Sequence, residues 1–350
     1  MRWVSLALNP TYKEMAKVLA GESRFLRCIQ LKTAIISWFE INMGTNSPCF
    51  KEYWETKSRI SVMEKFGNAN VYANNAKSIL NKATGFIDYY DFTLNPYRGC
   101  QYGCSYCYAA AFSPNREMRK DWGNWVIIKQ NAVEILEKEL QKWHKKNPDK
   151  SPSIYMSSVT DPYQPIESKE KLTRRLLEVM VKYQPTLVIQ TRSPMITRDI
   201  DILNQFQRLR INMSIPTGSE SVRKDFEPRS PSIPARLNAI GKLVHNIPCD
   251  RNHDVRFSVT VTPLLPILPD EERAFIRKLE IVDRVVIQEF HASQNRSLVA
   301  GTREEAQTIK QKYAWWYDRE QVNYLQFKQK LENLLPYVEI KEGKEGFGYE

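Results

Sequence analysis

The sequence predicts an α/β fold, a partial (β/α)6 TIM-like barrel carrying an N-terminal extension and a C-terminal helical tail. Two observations predict it. From about residue 86 onward, short β-favouring runs alternate with helical runs at βαβ spacing. Three of the six cysteines fall within eight positions directly after the first of those runs, as Cys100-x3-Cys104-x2-Cys107.

The elements follow in order. The aromatic run "FIDYYDFTLNPY" predicts a strand over 92–96, and "KQNAVEILEKELQKWHKKN" has helical periodicity. "SIYMSS" predicts a strand over 153–158, followed by the amphipathic "KEKLTRRLLEVMVKY". "TLVIQT" (186–191) precedes the helical "TRDIDILNQFQRL", and "INMSIP" (211–216) precedes "SIPARLNAIGKLVHN". "VRFSVTVTP" (255–263) leads to "DEERAFIRKLE", and "RVVIQEFH" (284–291) is the sixth strand. Such alternation implies a parallel sheet covered by helices. Right-handed crossovers would curl it into a barrel or part of one, with the chemistry where strands end and βα loops begin.

This core is expected over 63–299. Residues 1–62 hold weak helical patches and no chemical motif. They read as an N-terminal extension, poorly ordered or mis-started, with Met63 as an alternative start. Residues 300–350 read as a helical extension. Its Trp315, Trp316, Tyr317, Tyr324 and Phe327 suggest helix-on-barrel packing more than a base-stacking surface.

The 51 Lys+Arg against 40 Asp+Glu give a net charge of +11, a sign that attracts polyanions, nucleic acid among them. The charge is scattered along the chain, so a merely basic surface reads equally well. No run of about 18 apolar residues exists, so a membrane span is not expected and a cytoplasmic location is. Six cysteines in 350 residues are too few for a disulfide scaffold. Cys28, Cys49 and Cys249 stand alone and read as incidental or buried thiols.

Four readings compete for the clustered three: a disulfide with one thiol left over, a structural zinc site, three incidental thiols, or an iron–sulfur cluster. A cytosolic disulfide is disfavoured. Zinc needs a fourth ligand, and the nearest histidine, His144, lies on a predicted helix. Thiolates suit a cubane. Three of them leave one iron without a protein ligand, an open position for a small molecule by the logic of catalytic metal sites.

With Tyr106 just before its last cysteine, the C-x3-C-x2-C loop resembles the cluster motif of the radical S-adenosylmethionine (SAM) superfamily. Within that superfamily the chain is similar to the spore photoproduct lyase-like, DNA repair photolyase-related branch. The stretches that carry this likeness are "NPYRGCQYGCSYCYA", "SSVTDPYQPIE", "LVIQTRSP", "MSIPTGSESVRKDFEP" and "VTPLLPILPDEE". The resemblance covers roughly residues 86–292. It implies a [4Fe-4S] cluster on Cys100, Cys104 and Cys107, and SAM cleaved reductively to a 5′-deoxyadenosyl radical that abstracts hydrogen from a substrate. It also implies an electron donor such as flavodoxin or ferredoxin.

The resemblance further assigns cosubstrate contacts. Thr160 and Asp161 match a Ser-Asp pair of the lyase, and Arg192 matches a basic position at the methionine carboxylate. Ser214 matches a serine near the ribose, and Tyr106 is placed near the adenine. Each has a plainer reading: a turn for Asp161, a surface charge for Arg192, a backbone-bonded hydroxyl for Ser214, mouth packing for Tyr106. Glu167 and Glu289 could bind substrate or pair with a barrel arginine such as Arg256, and His291 could reach the mouth. The lyase keeps a hydrogen-donating cysteine directly before the Ser-Asp pair, where this chain has Val159. Lyase activity on the spore photoproduct is therefore not implied, whereas a nucleic-acid substrate is one expectation. Two further classes stay open: a basic nucleic-acid-binding protein with a purely structural metal or iron–sulfur site, and an iron–sulfur electron carrier.

Overall fold

The computed structural model describes residues 61–250, 253–290 and 303–350. Twelve strands occur in this part of the chain: β1 Ser61–Phe66, β2 Ala69–Asn74, β3 Leu80–Lys82, β4 Phe92–Leu94, β5 Tyr97–Arg98, β6 Trp125–Lys129, β7 Ser153–Met156, β8 Thr186–Thr191, β9 Arg208–Ser214, β10 Asp254–Val261, β11 Arg284–Ile287 and β12 Glu339–Glu342. Eight form one sheet in the order β12-β11-β10-β9-β8-β7-β4-β3, parallel from β4 to β12 and antiparallel at β3. The other four form a smaller sheet, β1-β2-β6-β5.

The six strands expected from the alternation are β4, β7, β8, β9, β10 and β11, and they are consecutive neighbours. Helices intervene between them, including Ala132–Lys146, Leu172–Val181, Ile233–Asn246 and Pro269–Lys278. Their ends are chemically marked. Asn115 and Ser232 accept backbone N–H groups at the starts of the helices Arg116–Lys120 and Ile233–Asn246. The helix Pro269–Lys278 begins with proline and three acidic residues and ends with Arg277 and Lys278, matching its dipole.

The two faces of the sheet differ. Ile154, Met156, Leu187, Ile189, Leu209, Ile211, Met213, Val259 and Ile287 belong to one continuous apolar core. The residues alternating with them, Tyr155, Gln190, Arg210, Asn212, Ser214, Ser258 and Thr260, face the other way, as strand pleating requires. On that side the Tyr155 hydroxyl donates to Gln190 Oε1 at 3.1 Å, and Gln190 Nε2 donates to Thr260 Oγ1 at 2.8 Å, reaching from β8 to β10 across β9.

Three features differ from the sequence-based expectation. The small sheet had no counterpart in it, because β5 and β6 flank the cysteine loop rather than taking part in the βα alternation. β1 pairs with β2 from Ser61 onward, two residues ahead of Met63. The C-terminal region is not wholly helical: its long helix stops at Leu334, and beyond Pro336, which lacks an N–H, β12 pairs in parallel with β11. Trp316, Tyr324 and Phe327 are buried there, while Trp315 is 47% exposed. The expectations for residues 1–60, Cys28, Cys49 and His291 lie outside the described residues, among which no helix is long and apolar enough to cross a membrane.

The residues after β12 close the N-terminal end of the polar face. Arg210 Nε donates to Tyr349 O at 2.7 Å, and Arg284 Nη1 donates to Gly348 O at 2.8 Å. Gly346 lies so close to Val286 that a Cβ there would fall 2.2 Å from Cγ1. Glycine alone lets the chain pass.

Ile211 is fully buried at the centre of the parallel ladder. Ile211→Ala is expected to cost about 2–5 kcal/mol, read as a lowered urea midpoint with an unchanged m-value. An unchanged midpoint would place Ile211 outside the core.

Candidate functional site

The cysteine loop leaves β5 at Gly99, whose φ of +83° and close approach to Trp125 exclude a side chain; a Cβ would sit 2.6 Å from the indole. The loop is tied down from two sides. Thr160 Oγ1 donates to Gly99 O at 2.6 Å, and Gln164 Nε2 bonds both Gly99 O and Thr160 Oγ1. Gln164 Oε1 accepts from Gln101 N at 2.9 Å. Farther along, Ser105 N donates to Phe226 O, and Arg303 Nη1 donates to Cys104 O at 2.8 Å.

Cys100 and Cys104 are buried and Cys107 is partly exposed. Turns closed by Gly103 N to Cys100 O at 3.2 Å and by Cys107 N to Cys104 O at 3.1 Å fold the loop that carries the three thiols. Burial pushes the Cys100 thiol well above its usual range, helped by Asp161 and the other two thiols. Burial also raises Cys104, to about 12 against the opposing pull of Arg192, and raises Cys107 against Arg192. Among the described residues no three His, Cys, Asp or Glu side chains converge tightly enough to cage one ion.

Arg192, at the end of β8, joins most of the expected residues. Its backbone N–H donates to Asp161 Oδ2 at 2.8 Å, and the neighbouring Thr191 hydroxyl donates to Asp161 Oδ1 at 2.7 Å. Asp161 also accepts from Tyr163 N, forming the turn its Pro162 suggests. Burial raises the Asp161 carboxyl above its ordinary value although these donors oppose it. The Arg192 side chain donates through Nη1 to Cys104 Sγ at 2.9 Å and to the Tyr106 hydroxyl at 3.2 Å.

The same Nη1 pairs with Glu227, a residue not singled out from the sequence. Glu227 is fully buried, accepts the Tyr106 hydroxyl, and pairs with Arg236 at 2.5 Å. Arg236, fully buried as well, donates to Ser214 O at 3.0 Å. Cys104, Tyr106, Asp161, Arg192 and Ser214 thus belong to one hydrogen-bonded assembly, and Thr160, next to Asp161 in the chain, holds the carbonyl of Gly99 just before Cys100. A lone Glu before proline at a helix end gave no signal of this role.

Several of the remaining candidates take packing or ion-pair roles. The Tyr106 ring, expected beside adenine, is 5% exposed and lies against Phe226 and Phe290, with centroids 6.5 and 6.2 Å away. Glu167 is fully buried and accepts from the Tyr97 hydroxyl, Thr173 N and Arg198, so it braces the core rather than facing the mouth. Arg256, considered as a partner for Glu289, pairs with Asp254 and Glu350 at the start of β10. Val159 holds its backbone N–H on Asn95 Oδ1 at 3.1 Å, and Tyr108, next to Cys107, donates to Ser158 O.

The chain belongs to the radical SAM superfamily, whose family model matches residues 94–279. It is 34% identical over 181 residues to an uncharacterized protein of Methanocaldococcus jannaschii, covering 52% of this chain and 63% of that one. It is 26% identical over 206 residues to an uncharacterized protein of Mycobacterium tuberculosis, covering 55% and 56%. The chain therefore spans less than two thirds of the length of these relatives. Its fold is similar to that of spore photoproduct lyase complexed with dinucleoside spore photoproduct. That match has a TM-score of 0.53 at 14% identity, over 85% of this chain and 95% of that one. A lyase structure with bound AdoMet and the same dinucleoside matches to the same extent.

Two outcomes follow from this geometry. Gly99→Ala should displace the loop against Trp125 and lower the melting temperature, and its thiols should alkylate faster than those of the folded wild type; an unchanged alkylation rate would mean that the loop tolerates the methyl. Burial would raise the Glu227 carboxyl, but Arg192 and Arg236, with the Tyr106 hydroxyl, outweigh it and hold the carboxyl below its ordinary 4.5. A depressed carboxyl stabilises the fold above the unfolded value and loses that contribution as pH falls through the native one. Urea midpoints taken from about pH 6 down to about pH 3 should fall more steeply for wild type than for Glu227→Gln; parallel curves would refute the assignment.

Proposed function

We propose that this protein is a radical SAM enzyme that holds a [4Fe-4S] cluster on Cys100, Cys104 and Cys107 and uses it to cleave SAM. The observation that carries the reading is the set of three thiols in one tightly turned loop, two of them buried and one hydrogen-bonded by an arginine from the C-terminal end of a parallel strand. Three soft donors fit an iron–sulfur cluster and leave one iron for the cosubstrate. The open sheet, bridged over its polar face by Gln190, supports a partial barrel. A [4Fe-4S] cluster held by these cysteines would supply the single electron for reductive cleavage of SAM to methionine and a 5′-deoxyadenosyl radical, the hydrogen-abstracting species.

The chain's own residues bind and orient. Because burial keeps the free thiols protonated, loading the site releases their protons. Thr160 fixes the loop through Gly99. Asp161 fixes the Arg192 backbone. The guanidinium of Arg192 offers its Nε–Nη2 edge to the methionine carboxylate, while its Nη1 is engaged with Cys104, Tyr106 and Glu227. Ser214, its carbonyl held by Arg236 at the end of β9, would meet the ribose. Tyr106 serves SAM through its hydroxyl in the Arg192 network, since its ring is packed against Phe226 and Phe290.

The substrate proposed is a nucleic acid or a fragment of one. The lyase of similar fold is complexed with a dinucleoside, and this chain carries a net charge of +11. Val159 offers no S–H bond, so a product radical would not be quenched at that position, and the spore photoproduct is not proposed as substrate. The electron would come from a flavodoxin or ferredoxin.

Anaerobic reconstitution should give about four iron and four sulfide per chain. Dithionite with SAM should then release 5′-deoxyadenosine, and Cys104→Ala should abolish both. Zinc without sulfide would instead favour a nucleic-acid-binding protein with a structural metal. A loaded cluster that leaves SAM intact would refute the enzymatic reading.

A further inference from the structure

Glu227 is more than a buried counter-charge, because its two oxygens point to different partners. Oε1 takes the Tyr106 hydroxyl and Nη1 of Arg192, while Oε2 takes Nη2 of Arg236 at 2.5 Å. Arg236 is itself fixed from behind, donating through Nε to Pro231 O at 2.9 Å and through Nη1 to Ser214 O at 3.0 Å. The carboxylate is therefore held in place by the start of the helix Ile233–Asn246 and the end of β9.

Arg192 differs from Arg236 in exposure. Its side chain is 17% exposed, whereas those of Arg236 and Glu227 are fully buried. Every hydrogen bond of its guanidinium among the described residues runs through Nη1, including the one to Cys104 Sγ at 2.9 Å. A guanidinium is a rigid plane of five donors. Once one corner is pinned between a carboxylate and a thiol sulfur, the direction of the opposite Nε–Nη2 edge is fixed too.

We propose that Glu227 is a positioning residue that clamps the Nη1 corner of Arg192 beside Cys104, so that the Nε–Nη2 edge is presented ready-oriented to the cosubstrate carboxylate. This rests on the radical SAM reading above. The cost of ordering a long arginine is met when the fold forms, not when SAM arrives, and preorganisation of that kind strengthens binding. A purely structural Glu227, there only to neutralise Arg236, would affect stability and leave SAM affinity alone.

The test is a double-mutant cycle on the anaerobically reconstituted holoprotein, with iron and sulfide content matched and SAM dissociation constants measured by calorimetry. Glu227→Gln and Arg192→Met should each weaken SAM binding by roughly tenfold or more. The double variant should bind no more weakly than Arg192→Met alone, because Glu227 acts only through Arg192. Glu227→Gln leaves the buried Arg236 and the partly exposed Arg192 without a carboxylate and can fail to fold. Glu227→Gln/Arg236→Met keeps the charge balanced, and the same loss is expected of it. Affinity within twofold of wild type in whichever of these variants folds, or fully multiplicative losses in the cycle, would overturn the inference while leaving the radical SAM reading intact. A wild-type protein that carries its cluster and binds no SAM would overturn both.

Discussion

One carboxylate without exposed surface lies between two guanidinium groups, and the mouth of the sheet is organised around it. Glu227 joins Arg192 at the end of β8 to Arg236 on the helix Ile233–Asn246, and Arg236 carries the link to the last residue of β9. Desolvating three charges is expensive. The cost is offset only where geometry is good and the remaining donors and acceptors are satisfied. Here the Tyr106 hydroxyl, Ser214 O and Pro231 O supply those partners. Such a triad adds little to net stability, but it fixes where Arg192 stands relative to Cys104.

The sheet beneath follows a different rule from most parallel sheets. Strands covered on both faces read as continuous apolar runs. In this chain one face is apolar and packs on helices, while the other carries tyrosine, asparagine, serine, threonine and arginine that are nonetheless buried, with the half-buried Gln190 among them. Polar groups in such a place must bond one another, and several do: Tyr155 to Gln190, Gln190 to Thr260, Arg210 to Ser258. At the N-terminal end the arginines turn to the chain's own last residues, so the polar face is closed there and chemically rich toward the cysteine loop.

The likeness to spore photoproduct lyase is one of fold, at 14% identity, and the differences in residues carry the chemical information. Val159 stands where the resemblance to the lyase leads one to expect a cysteine, and its backbone is held by Asn95 in a loop that Tyr108 also braces. A fold of this kind tolerates such exchange, because loops at strand ends change chemistry without disturbing the ladder below.

Local signals alone determined the order of the six parallel strands and the place of the three thiols. Period-two and period-3.6 patterns are written residue by residue, and the C-x3-C-x2-C spacing needs no knowledge of distant partners. Thr160, Asp161, Arg192 and Ser214 were singled out by the resemblance of their stretches to the family, and each stands at or shortly beyond the end of a strand. Glu227 was not, since its meaning depends on Arg192, thirty-five residues earlier in the chain, reaching the same buried point. β12 and the small sheet were likewise hidden, their pairing being set by contacts between segments far apart in sequence. Tertiary structure also decided that Glu167 is a brace and that the Tyr106 ring packs tilted against Phe226 and T-shaped against Phe290. Burial belongs to an environment, and an environment exists only once the chain has closed around the residue.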